Sequence, residues 1–224
     1  MENPWKEYLV RQNKNKFHPQ DEAHVLAFNS AIKGRKSYEL AEHLEPFPYL
    51  GNPNAPIFVL LANPGKSGPE EKKSFSYSPK KLELHKSNLL HQGIDDFIFR
   101  LDSPKDTTLE SPYFKSRTAK LVEASSLHSV ATKIFFVNFH GYHSQSWYPI
   151  PFTFYTQNYS FNLVKEAVSR GSHIVMSRNT TGWLTAIPEL VKYPHRSLFK
   201  STRSVHMSEK NLGSKEYQKI LSFL

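Results

Sequence analysis

Three short polar segments carry side chains able to do chemistry. In Leu61-Ala62-Asn63-Pro64-Gly65, Asn63 follows directly on an apolar run. A carboxamide donates and accepts hydrogen bonds but takes no proton at neutral pH, so Asn63 can hold a water in place and cannot act as a strong base. Asn-Pro-Gly is also an ordinary turn sequence. Asn138 ends the apolar run Ile134-Phe135-Phe136-Val137; its amide can read one edge of a nucleobase or cap a turn. The third segment, His206-Met207-Ser208-Glu209-Lys210-Asn211, gathers imidazole, hydroxyl, ammonium and carboxamide groups.

Two other features look chemical and resolve differently. Gly65-Lys66-Ser67 resembles the end of a phosphate-binding loop, but the earlier glycine that such a loop requires falls at Leu60, still inside an apolar run. A nucleotide hydrolase is therefore not expected, and Asp95 and Asp96, adjacent in a helical stretch, point apart instead of clustering for a metal. His140 and His143 lie close together, but no carboxylate or further His stands near them in sequence. Hydrogen bonding to a base or phosphate is expected of His140, and no metal or cofactor. Arg178 suits a DNA contact or a structural ion pair.

The elements that must position these groups are legible as apolar runs. Ile57 to Ala62 is apolar on both faces, as in a central parallel strand, and similar runs recur at Ile134 to Val137 and Ile174 to Ser177, with a weaker one at Ser197 to Ser201. Helices are expected at Asp21 to Leu44, Pro79 to Leu101, Phe114 to Leu127, Phe161 to Arg170, Thr181 to Val191 (broken by Pro188) and Ser214 to Leu224. Strands alternating with helices predict an α/β fold, a three-layer α/β/α sandwich around a short, mainly parallel sheet, in one domain over residues 1–224 with a helical part at 1–50. Ligands of such sheets bind beyond the carboxyl ends of the strands. Asn63, Asn138, Arg178 and the His206 segment all follow apolar runs.

Composition narrows the partner. The 224 residues contain no cysteine, which removes disulfides, thiolate nucleophiles and iron–sulfur clusters, and the net charge of +9 points to a polyanion. No run is long enough to span a bilayer and no secretory pattern opens the chain. The expectation is a soluble, cytoplasmic or nucleoid-associated monomer that binds DNA and no membrane.

The first segment resembles the G-x-N-P-G motif of the mismatch-specific and single-strand-selective branches of the uracil-DNA glycosylase superfamily, with Leu61 in place of the first glycine. The third is similar to the H-P-S-P-R-N motif of the single-strand-selective branch, keeping His206, Ser208 and Asn211, with Lys210 for Arg and both prolines lost. Asn138 falls where this superfamily places its base-reading Asn. The matched span runs from about Ile57 to Leu212.

The resemblance implies a uracil-DNA glycosylase-like fold and a monofunctional enzyme that flips a pyrimidine out of DNA and hydrolyses its glycosidic bond. Asn63 would hold the attacking water, and His206 would stabilise the departing base. Asn138 would read that base, and Phe75, or alternatively Tyr77, would stack on it. Lys66, Ser67, Ser208, Lys210 and Asn211 would contact the DNA, with Lys210 entering the space the base leaves. Gly65 replaces a Tyr that blocks C5 substituents in the most uracil-specific branch, so a C5-substituted pyrimidine is an expected substrate, in repair or in defence against modified phage DNA. The competing expectation is a non-catalytic glycosylase-like module that binds modified or damaged DNA.

Overall fold

In the computed structural model, residues 1–11, 16–66, 68–93, 112–201 and 205–224 are described. The apolar runs form strands: β1 (Tyr49–Leu50), β2 (Ile57–Leu61), β3 (Ile134–Asn138), β4 (His173–Met176) and β5 (Arg196–Leu198). They make one sheet in the order β1-β3-β2-β4-β5, parallel throughout except for β1, which runs antiparallel to β3. Every residue of β2, β3 and β4 is buried, which is why these segments read as continuous apolar runs and not as alternating ones.

Side-chain alternation along the strands feeds two cores. Phe58, Leu60, Phe135, Val137, Ile174 and Met176 pack on one face with Trp5 and Tyr8 of α1 (Trp5–Val10). The α6 helix (Tyr155–Ser169) adds Tyr159, Leu163 and Val164 to that core, and α7 (Thr180–Ala186) adds Trp183. Ile57, Val59, Leu61, Ile134, Phe136 and Val175 pack on the other face. Their partners there are Phe114 and Leu121 of α4 (Pro112–Ala124), Val130 of α5 (Leu127–Lys133), and Tyr217 and Ile220 of α9 (Ser214–Leu221). Helices on both faces of a mostly parallel sheet make this a mixed α/β fold in three layers, as the alternation of runs predicts. A third apolar cluster, built on Val25 and Phe28 of α2 (Pro19–Ala31), holds Tyr142 and Phe154.

Several expected boundaries move, each for a local reason. The α2 helix stops at Ala31 and not at Leu44: Gly34 takes a φ of +90°, and both amide atoms of Asn29 bond the Leu40 backbone at 2.8 and 2.9 Å, holding the chain back against the helix. The α3 helix (Pro79–Leu89) ends before His91 and Gly93, both at positive φ. Asp95 and Asp96 lie outside the described residues. The helix expected to run to Leu127 ends at Ala124, and Ser126 caps a separate α5 by accepting from the Ser129 amide. The helix expected to start at Phe161 begins at Tyr155, for a tertiary reason taken up in the Discussion. Pro188 does break its helix, leaving α7 and a 3-10 turn at Pro188–Lys192. The two-residue β1, within a proline-rich stretch, is too short to show a period. It is possible because a side chain at Gly51, at φ +114°, would come within 2.6 Å of the Ile134 carbonyl.

Candidate active site

The register sets Leu61 opposite Asn138, so β2 and β3 end side by side and their exit loops run on together. The Phe139 amide bonds the Ala62 carbonyl at 2.9 Å, the Ser144 amide bonds Pro64 at 3.2 Å, and Gly65 bridges Ser144. Trp183 of α7 donates its indole N–H to the Leu61 carbonyl at 2.8 Å, fixing the end of β2 from the other side. Asn63, with Gly65, thus stands on a loop held by its neighbour along its whole length.

The Asn63 amide has one orientation. Ser144 Oγ donates to the Ser146 carbonyl at 2.8 Å, so its lone pair accepts from Asn63 Nδ2, also at 2.8 Å, and Nδ2 lies 3.1 Å from the Pro64 carbonyl as well. The nitrogen is therefore committed to the loop and Oδ1 is the end left for a ligand; among the described residues it takes no hydrogen bond. An acceptor oxygen held in this way can orient a water.

Two buried histidines support these loops. His143 donates from Nδ1 to the Gly65 carbonyl at 2.7 Å, and burial holds its pKa down to about 4, with a smaller upward pull from that carbonyl. His140 accepts at Nδ1 from the Tyr142 amide at 3.3 Å and stacks on Trp147 with ring centres 5.4 Å apart; burial, then the nearby His143, lowers its pKa to about 3. Both rings are neutral at physiological pH. His140, held between the Tyr142 amide and the Trp147 ring, braces the Asn138 loop, a role the sequence does not suggest. Among the described residues no group of three or more His, Cys, Asp or Glu side chains is placed to hold a metal ion.

Asn138 is also oriented by a partner. Its Nδ2 donates to the Phe47 carbonyl at 2.8 Å, while Oδ1 is buried with no hydrogen-bond partner. A buried acceptor without a donor is costly, and its position at a strand end makes it a candidate to receive a ligand N–H. Phe47 is the site residue that sequence reasoning missed. It precedes Asn63 in the chain, and its only sequence mark is its place between Pro46 and Pro48. A Cβ on Gly141 would sit 3.1 Å from the Pro48 nitrogen, so glycine there lets this segment lie on the Asn138 loop, where the Phe47 amide bonds the Gly141 carbonyl.

Phe47 opens an aromatic row. His85 stacks on it with ring centres 5.7 Å apart, Tyr77 stacks on His85 at 6.3 Å, and Phe75 meets the edge of Tyr77 at 5.1 Å. Of the two aromatics expected to stack on a base, Tyr77 is thus the nearer to Asn138 along this row and Phe75 the more distant. A Cβ at Gly65 would meet nothing within 4 Å, so the space beside Asn63 is open. Lys66 is half-buried beside it, and Ser67 lies outside the described residues.

The His206 segment sits against α4. His206 Nδ1 lies 3.0 Å from the Ser116 carbonyl, and Nε2 lies 2.6 Å from a terminal nitrogen of the Arg117 guanidinium. A carbonyl can only accept and a guanidinium can only donate, so Nδ1 carries the proton and Nε2 offers its lone pair. In this arrangement His206 is not set to donate to a departing base, contrary to the role the resemblance implies. No described hydrogen bond ties it to Asn63 or Asn138. Ser208 stands at the N-cap position of α8 (Glu209–Leu212) without a side-chain capping bond, and Lys210 is exposed. Asn211 is buried; its Nδ2 bonds the His206 carbonyl at 3.1 Å and its Oδ1 accepts from the Ser201 amide at 3.0 Å. It braces the segment instead of reaching DNA. Arg178 is half-buried two residues beyond β4, before Asn179 at φ +51°.

The chain matches no family model, no curated protein and no solved structure. No helix of the described residues is long and apolar enough to cross a membrane.

Proposed function

We propose that the protein is a monofunctional DNA glycosylase with a uracil-DNA glycosylase-like fold. The observation that carries this reading is the paired arrangement at adjacent strand ends: Asn63, fixed by Ser144 with Oδ1 outward, beside Asn138 with a buried, unpartnered Oδ1. In the reaction, the flipped nucleotide enters beyond β2 and β3. Asn63 Oδ1 accepts a hydrogen bond from a water and holds it below the sugar. As the glycosidic bond breaks, positive charge builds on the sugar and negative charge on the base; the water oxygen then bonds the anomeric carbon, and its proton passes through solvent to the departed base. Placement of a weak nucleophile suffices for so loose a transition state, and turnover is slow for lack of a carboxylate base.

The pocket supports a broad pyrimidine specificity. Asn138 spends one Nδ2 hydrogen on the Phe47 carbonyl, and its unpartnered Oδ1 is an acceptor for the base. That oxygen takes N3–H of a uracil-type base or the C4 amino group of a cytosine-type base. The open space at Gly65 admits a substituent at C5. Repair of damaged bases and removal of modified bases from foreign DNA both suit such a pocket.

The test is incubation with oligonucleotides carrying uracil, mismatched thymine and C5-modified cytosines, followed by alkali to reveal abasic sites. Base release from at least one, abolished by Asn63→Ala, supports the enzyme; release from none refutes it. The engagement of His206 Nε2 by Arg117 favours a second reading, a glycosylase-like module that binds modified or damaged DNA without cutting it. Tight binding that survives Asn63→Ala, with no base released by the wild type, selects that reading.

A further inference from the structure

We infer that Arg117 is an anion-binding group of this site and that His206 serves to position it, the reverse of the role the His206 motif implies. Four observations on α4 and the facing loop carry this. The guanidinium is half-buried, and no carboxylate among the described residues lies within ion-pair distance of it. Its Nε is buried with no hydrogen-bond partner. Its plane is held over the Tyr113 ring, 5.0 Å from the centre, and one terminal nitrogen is held by His206 Nε2 at 2.6 Å. His206 is itself set by the Ser116 carbonyl, and the Met207 amide bonds the Arg117 carbonyl at 2.8 Å, so the segment is tied to the helix through both side chain and backbone.

A cation oriented by a ring and an imidazole nitrogen, with a donor left over, is arranged for an acidic oxygen that arrives from outside. Its position relates it to the Asn138 pocket: Phe114, one helical turn before Arg117, packs on Phe47 with ring centres 6.0 Å apart, and the Phe47 carbonyl holds Asn138. The ligand is an anionic oxygen of DNA, supplied either by a backbone phosphate or by the departing base. The second source rests on the glycosylase reading; the first does not.

The experiment uses a duplex with one uracil opposite guanine, wild-type protein, Arg117→Gln, His206→Ala and the double variant. Affinity is measured across a salt series, and base release under single turnover at saturating protein. If the ligand is a phosphate, Arg117→Gln weakens binding about 10-fold and lowers the salt slope by about 0.9, with the saturated rate within about twofold of wild type. If it is the departing base, affinity holds and the rate falls about 100-fold or more, less so for 5-fluorouracil, which leaves more readily. In both cases His206→Ala moves the same readout and adds nothing to Arg117→Gln in the double variant, because His206 acts through Arg117.

The inference is overturned if neither slope nor rate changes while the melting temperature falls, or if the two substitutions add. Should Arg117→Gln fail to fold, Arg117→Met, which keeps the apolar stem over Tyr113, is read on the same measurements. Failure of the glycosylase reading is distinguishable: wild type then releases no base, and the salt slope alone decides for or against Arg117.

Discussion

At the scale of single residues, the candidate site is ordered by hydrogen bonds that engage the nitrogen end of each amide. Asn63 gives its nitrogen to Ser144, and Asn138 gives its nitrogen to Phe47, so both present oxygen. Ser144→Ala removes the hydroxyl that fixes Asn63 while leaving the loop backbone paired. For the proposed glycosylase, base release is expected to fall about 10-fold at unchanged DNA affinity, since misplacing the group proposed to hold the water costs rate before binding. Equal loss in both quantities would show that Ser144 acts on DNA instead. Gly65→Tyr is expected to fold, because nothing lies within 4 Å of a Cβ there, and to cut activity on C5-substituted pyrimidines at least 10-fold relative to uracil. A variant that keeps the wild-type preference would place the C5 wall elsewhere in the pocket.

Among the elements, the decisive contact is one that holds two helices together. Asp21 of α2 is wholly buried and accepts from the Tyr155 and Thr156 amides at 2.6 and 3.3 Å, from Thr156 Oγ1 at 2.6 Å and from the Tyr142 hydroxyl at 2.7 Å. It thereby caps α6 from another helix, which is why α6 begins at Tyr155 with no capping bond from Phe154. Burial, and then the charge of Asp21, pushes the Tyr142 hydroxyl well above its ordinary pKa, so it remains a donor. Asp21→Ala strands these donors and is expected to cost about 3 kcal/mol or more in chemical denaturation. A loss below about 1 kcal/mol would mean that water replaces the carboxylate. Since Tyr142 lies on the loop between Asn138 and Ser144, activity should fall with stability in this variant.

Across the molecule, buried histidines set the response to acid. Burial, first among the causes, holds the pKa of His140 down to about 3, and those of His91, His143 and His173 down to about 4, from an ordinary 6.5. In the unfolded chain these rings take protons near 6.5, while the folded protein holds them neutral. Their contribution to stability is therefore complete above pH 6.5 and is lost progressively as pH falls towards 4. The urea midpoint should be flat above that window and fall steeply through it; a midpoint unchanged through it would show that the rings are accessible. The net charge of +9 predicts a second whole-molecule property, DNA binding that weakens steeply with salt.

The strand runs, their parallel arrangement, the break at Pro188 and the polar segments beyond the strands were all legible in the sequence, because burial on both faces and proline chemistry are local properties of the chain. So were the residue types at Asn63, Asn138 and His206. What each of those groups faces was not. Which end of each amide remains for a ligand depends on Ser144 and on the Phe47 carbonyl, both remote in sequence. The tautomer of His206 depends on Ser116 and Arg117, from a helix whose sequence carries no sign of the pairing. Side-chain identity is set by the chain alone, whereas hydrogen-bond direction is set by whichever partner the fold brings within 3 Å. Tertiary structure therefore decided that Asn63 presents an oxygen, that Asn211 and His140 are braces, and that Arg117 lies against His206.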